Sequence, residues 1–173
     1  RAGAQAESEA RKAISRLKEE MHPVSTLQDQ LSQLVESLRL PGQSLQFETS
    51  VNLPLLVPRQ TTEQITRIVK EAISNAQKHA RAKAIRVGMF LRDENVILEI
   101  CDDGIGFDPQ APSYPDERPH FGLEVMQARA QRIGAELEVH SQPGEGTSIS
   151  LQLPVEALIN RGEKHENTHL VGG

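Results

Sequence analysis

The run EAISNAQKHA places a carboxylate, an amide, an ammonium and an imidazole close together at Glu71, Asn75, Lys78 and His79. On a helical wheel at about 100° per residue with Glu71 at zero, Asn75 falls at about 40°, Lys78 at about −20° and His79 at about 80°. These groups therefore share one flank beside the stripe formed by Ile65, Val69, Ala72, Ile73 and Ala76. An amide oxygen suits a hard cation and an ammonium suits phosphate, while a carboxylate and an imidazole can orient water or move protons. Taken alone, the same four residues also describe a solvated helix face with i,i+4 contacts.

Three further stretches have chemistry available to them. In DDGIGFD, Asp102 leaves the apolar run VILEIC, where a carboxylate is costly without a partner, and Gly104 and Gly106 permit close backbone approach to a ligand. A calcium loop is excluded, because DDGIGFDPQAPS ends in Pro and Ser rather than the required glutamate. In HFGLEVM, Gly122 stands where a loop becomes a helix, an arrangement whose backbone amides suit a phosphate. In PGEGTS, Gly144, Gly146 and Thr147 form a tight turn between strands. Each stretch also has a purely structural reading as a turn or a helix start.

The elements that hold these residues follow from periodicity. Ala10, Ile14, Leu17 and Met21 are helically spaced in a charged segment from Ala4 to Met21, which ends at His22-Pro23. A second helix is expected through Leu27, Leu31, Leu34, Val35 and Leu38, stopped by Pro41-Gly42. SLQFETSV alternates as a strand, and after LPLLVPR a long helix is predicted from about Thr61 to His79, with Thr61 and Gln64 as its capping box. AIRVGMFL and NVILEIC read as strands joined at Arg92-Asp93-Glu94, and an aperiodic Gly/Pro/Asp-rich loop follows. FGLEVMQARAQRIG is a helix ended by glycine, and AELEVHS and TSISLQL are strands around QPGEG. Strands in adjacent pairs with helices between them predict an α+β fold, a two-layer sandwich with helices on one face of a mixed sheet.

The 173 residues suffice for one domain with an appended element, and 3% aromatics make its core aliphatic. The net charge of −5 excludes a general nucleic-acid binder. The single cysteine, Cys101, excludes an intrachain disulfide. No apolar run approaches the roughly 18 residues of a membrane span, and no signal peptide is visible.

In their order, EAISNAQKH, DDGIGFD, HFGLEVM and GEGTS resemble the N, G1 and G2 motifs of the ATP-binding domain of two-component sensor histidine kinases, the GHKL or Bergerat fold. The compact EA..NA.KHA helix preceded by LPLLVP is similar to the nitrate/nitrite-sensor subfamily. The likeness covers about Ser44 to Pro154.

The resemblance implies a role for each matching residue. Asn75 would coordinate Mg²⁺, and Glu71 would act on the metal through water or help polarise the reacting groups. Lys78 and His79 would face the phosphates of ATP, and Glu71, Asn75 and Lys78 form the expected catalytic set. Asp102 would accept the adenine amine, with Gly104 and Gly106 wrapping the base and Gly146 and Thr147 supporting that contact. Gly122 and Leu123 would close on the phosphates, although Pro119-His120-Phe121 replace the usual glycine pair before Gly122.

The implied organisation is the tail of a dimerisation helix at 1–22, an ATPase domain at 23–155 and a disordered tail at 156–173. The expected activity is histidine phosphorylation with ATP and Mg²⁺, followed by transfer to a response regulator. The protein would lie on the cytoplasmic side, as part of a membrane-anchored homodimer joined through upstream helices, whereas this chain alone would be a monomer. His22 precedes a proline and does not match the family's phosphoacceptor pattern, so that histidine is expected upstream. The alternatives are a serine kinase of the anti-sigma-factor type and a nucleotide-binding module without turnover.

Overall fold

The computed structural model describes residues 25–109 and 119–159. The first element is helix α1 (Leu27–Ser37), started by a capping box in which Thr26 Oγ1 accepts the Asp29 N–H and Asp29 Oδ2 accepts the Thr26 N–H. Strand β1 (Ser44–Thr49) follows, then helix α2 (Arg59–Lys78), which carries the chain across to strand β2 (Ala84–Arg92). Strands β1 and β2 pair in parallel, which a crossover such as α2 makes possible.

Strand β3 (Asn95–Asp102) returns antiparallel to β2 through a turn in which Asp93 and Glu94 both have positive φ, the backbone twist that suits a tight hairpin. Helix α3 (Pro119–Arg132), strand β4 (Glu136–Gln142), strand β5 (Gly146–Pro154) and the short helix α4 (Val155–Ile159) complete the described residues. The sheet order is β1-β2-β3-β5-β4, mixed as the sequence predicts.

The helices cover one face of the sheet. Ile85, Val87 and Met89 of β2, Val96, Leu98 and Ile100 of β3, and Ile149, Leu151 and Leu153 of β5 alternate onto that face. Leu31 and Val35 of α1, Ile65, Val69 and Ile73 of α2, and Met126 and Ala130 of α3 close over them. The core is aliphatic, as the scarcity of aromatics requires.

Two expectations are corrected here. Helix α2 starts at Arg59 rather than Thr61, with Pro58 at its N-cap and no side-chain cap bond. Thr61 and Thr62 are instead buried inside the first turns, and Thr62 Oγ1 bonds back to the carbonyl of Pro58. Burial against the core outweighs local capping at that end. The tail expected from residue 156 begins as α4, whose Leu158 is buried in the core and whose Val155 N–H bonds the Glu94 carbonyl. The helix read over residues 4–21 lies outside the described residues, as do residues 110–118 of the long loop and 160–173 of the tail.

Candidate functional site

The site grows from the end of β3. Its apolar residues hold the strand in the sheet centre, and Asp102 emerges half-buried at its last position, opposite Thr147 of β5. Burial pushes the Asp102 carboxyl above its ordinary value of 3.8. The backbone N–H groups of Gly104 and Thr147 oppose that rise, and the neighbouring Asp103 charge adds to it. Oδ1 of Asp102 accepts the Gly104 N–H at 2.8 Å. Asp103 points the other way and is exposed, with its Oδ1 accepting the N–H groups of Lys83 at 2.8 Å and Ala84 at 2.9 Å. Those bonds, first among them the one from Ala84, hold its carboxyl below the ordinary value.

The glycines of DDGIGFD act chiefly by letting this loop lie against its neighbours. A side chain at Gly104 would run into Ala80, and one at Gly106 into the Gln142 carbonyl. Gly106 also adopts φ +61°, where a side chain is strained. The Ile105 N–H then reaches the Ala80 carbonyl at 2.8 Å, and the Ile105 carbonyl accepts the Gly144 N–H at 2.6 Å. The loop is thereby bonded to the end of α2 on one side and to the β4–β5 turn on the other.

Between these elements lies a cavity of about 170 Å³. Helix α2 and its end supply Ala72, Asn75, Ala76, His79 and Ala80, and β3 with its loop supplies Asp102, Ile105, Gly106 and Phe107. Leu123 of α3 and Thr147 and Ile149 of β5 close it. An apolar wall with a few polar groups is the usual make-up of a small-molecule site, and cavities of about 150 Å³ accept an aromatic ring. At its edge, α3 packs close to α2. A Cβ on Gly122 would stand 2.8 Å from Glu71 Oε1 and 3.3 Å from Asn75 Nδ2.

The structure thus brings Asn75, His79, Asp102, Gly106, Leu123 and Thr147 into one cavity wall, and Glu71 and Gly122 beside it. Lys78 is exposed and does not line the cavity, nor do Gly104 and Gly146, which position the loop and the turn. Gly122 lies one turn inside α3, because that helix starts at Pro119. Sequence reading overlooked the walls themselves. Ala72 and Ala76 of the motif helix and Ala80 just past its end recur every fourth residue, and that spacing of small side chains was a readable sign of a close-fitting face.

For a metal, the rim offers one carboxylate, Glu71, and one amide, Asn75. Among the described residues no three His, Cys, Asp or Glu side chains could hold an ion together. That donor set does not make an all-protein cage. It does fit Mg²⁺, which keeps waters and takes most of its ligands from substrate phosphates.

Residues 60–157 match the family model of the histidine kinase-, DNA gyrase B-, and HSP90-like ATPases. The chain belongs to that ATPase family. Among curated relatives of this ATPase, an uncharacterized sensor-like histidine kinase of Chloroflexus aurantiacus is 40% identical over 93 residues, covering 52% of this chain and 15% of the relative. The sensor protein NarQ homolog of Haemophilus influenzae is 30% identical over 135 residues, covering 75% of this chain and 22% of the relative. The chain therefore spans only about a fifth or less of those proteins. Among solved structures, the histidine kinase domain of the Erythrobacter litoralis EL346 blue-light activated histidine kinase superposes with a TM-score of 0.64 at 20% identity. That alignment covers 78% of this chain and 65% of the other, and shows that the ATPase fold is shared.

Proposed function

We propose that this chain is the ATP-binding catalytic domain of a sensor histidine kinase, which passes the γ-phosphate of ATP to a histidine on a dimerisation domain for relay to a response regulator. One observation carries the reading: a half-buried carboxylate, Asp102, lines a mostly apolar cavity together with Asn75 and His79 of the motif helix and its end. An acceptor at that place selects a base bearing an exocyclic amine, and the apolar walls enclose its ring.

From the base, the nucleotide's phosphates extend toward the edge where Glu71, Asn75 and Gly122 meet. Asn75 offers an oxygen to Mg²⁺, which supplies charge neutralisation to the phosphates when bound. Glu71 orients a water there or helps polarise the reacting groups, Lys78 contributes positive charge, and His79 faces the phosphate chain. Gly122 and Leu123 bring the start of α3 over the phosphates. Catalysis on this reading consists mostly of positioning and electrostatics, as phosphoryl transfer requires. The acting assembly is a homodimer on the cytoplasmic side of a membrane, with a response regulator receiver domain as the phosphate's next acceptor.

Calorimetric titration with ADP and ATP, with and without Mg²⁺, tests the site. Asp102→Ala should abolish measurable nucleotide binding, and Asn75→Ala should chiefly remove the Mg²⁺ dependence. Unchanged affinity in Asp102→Ala would dismiss the adenine site.

A further inference from the structure

Ser141, the next-to-last residue of β4, lies outside all four motifs yet joins two segments around the cavity, the loop after β3 and the start of β5. Its Oγ is 2.9 Å from the Phe107 amide nitrogen, 3.0 Å from the Gly146 carbonyl oxygen and 2.9 Å from Thr147 Oγ1. A serine hydroxyl has one proton and two lone pairs. The Phe107 N–H can only donate, so it occupies one lone pair. The Gly146 carbonyl can only accept, so it takes the Ser141 proton. What remains for Thr147 is the second lone pair, and Thr147 must therefore be the donor. The reverse assignment would leave two oxygens 3.0 Å apart with no proton between them.

Thr147 lines the cavity. With its proton committed to Ser141, its hydroxyl can show a ligand or a bridging water nothing but lone pairs. Asp102, its register partner on β3, also presents acceptor oxygens. This wall is thus acceptor-only at two neighbouring positions.

We propose that Ser141 is a positioning residue which fixes the Thr147 hydroxyl as an acceptor and so sets base selectivity, favouring a purine with a 6-amino group over one with a 6-oxo group. The inference rests on the adenine reading of the cavity. A 6-oxo purine replaces a two-proton amine with a carbonyl; its N1–H can satisfy one of the two acceptors, but the carbonyl then faces the other, and Thr147 cannot turn to donate to it while Ser141 accepts its proton. Removing the Ser141 hydroxyl frees the Thr147 hydroxyl to rotate and donate, and the penalty against the carbonyl shrinks.

The test is calorimetry of the full chain with ADP and with inosine diphosphate, its 6-oxo counterpart, beside thermal unfolding of each variant. The parent should prefer ADP. Ser141→Ala should lose about tenfold of that preference, the worth of one well-made hydrogen bond to discrimination. Ser141→Thr, which keeps the hydroxyl, should restore it. If Ser141→Ala does not fold, Ser141→Cys keeps the volume with a far weaker donor and should lose preference in the same direction. A serine that merely staples the loop would lower both affinities equally; an unchanged ratio in an ADP-selective parent therefore overturns the inference alone. A parent that binds neither nucleotide overturns the adenine reading and this inference with it.

Discussion

Asp102 and Asp103 are adjacent carboxylates with opposite pKa displacements, because burial raises the first while the backbone N–H groups of Ala84 and Lys83 lower the second. Asp103 has a lowered native pKa, so its contribution to stability is present above the unfolded value and is lost as pH falls through the native one. For Asp102 the sign is reversed. Its native pKa is raised, so its burial penalty is full above the native pKa and disappears below the unfolded value. A donated amine favours the ionised form, so nucleotide affinity should hold at neutral pH and fall on acidification through a window opening above 3.8. Titrations stepped from neutral into acid measure this, and Asp102→Asn should flatten the profile.

Two glycines of the site should also separate cleanly. Gly122→Ala meets only the far ends of two side chains, the Glu71 carboxylate and the Asn75 amide, so its unfolding free energy should change by less than about 1 kcal/mol. Gly104→Ala meets the carbonyl and Cβ of Ala80 and should cost about 1–3 kcal/mol or more by overpacking. Denaturant unfolding of the two variants distinguishes them.

At the level of elements, helix ends decide where the motifs lie. Helix α3 stops at Arg132, and the chain turns toward β4 through Gly134 at φ +70°. No heavy atom lies within 4 Å of a Cβ placed there, so Gly134→Ala would carry backbone strain without a clash. The expected loss is about 1–2 kcal/mol, read from denaturant midpoints. The turn is not a cavity wall, so nucleotide affinity should stay at the parent value. Helix α2 shows the opposite economy. It lacks a side-chain cap and is held by Ile65, Ile68, Val69, Ala72, Ile73 and Ala76, all buried against the sheet and its neighbouring helices. That anchoring keeps Glu71, Asn75 and His79 in place, since a helix fixed along its apolar stripe fixes its polar flank as well.

Across the whole molecule, the cavity draws its walls from α2, the β3 strand and its loop, α3 and β5. A nucleotide that touches all of them should favour the folded state as a unit. At a concentration 100 times its dissociation constant, ADP should stabilise the parent by about 2.7 kcal/mol. The same addition should leave Asp102→Ala unmoved, a contrast that thermal unfolding resolves. In the core beneath, Leu151→Ala removes a fully buried side chain of β5 and should cost about 2–5 kcal/mol.

The sequence by itself determined the five strands and the three longer helices of the described residues, the α+β class and the polar flank of α2, because side-chain periods of 2 and 3.6 are local properties that a linear reading contains. It also singled out Asp102, since a carboxylate at the end of VILEIC demands a reason. It misplaced the start of α2, where core burial overrides capping, and it drew the tail boundary before a segment that Leu158 anchors. Only the tertiary structure decided that β3 lies between β2 and β5, so that Asp102 faces Thr147 across a ladder rather than along the chain. Only it left Lys78 outside the cavity wall and drew Ser141 onto the Thr147 hydroxyl. Those relations depend on pairing and packing between distant segments, and EAISNAQKHA became one wall of a site only when DDGIGFD folded against its end.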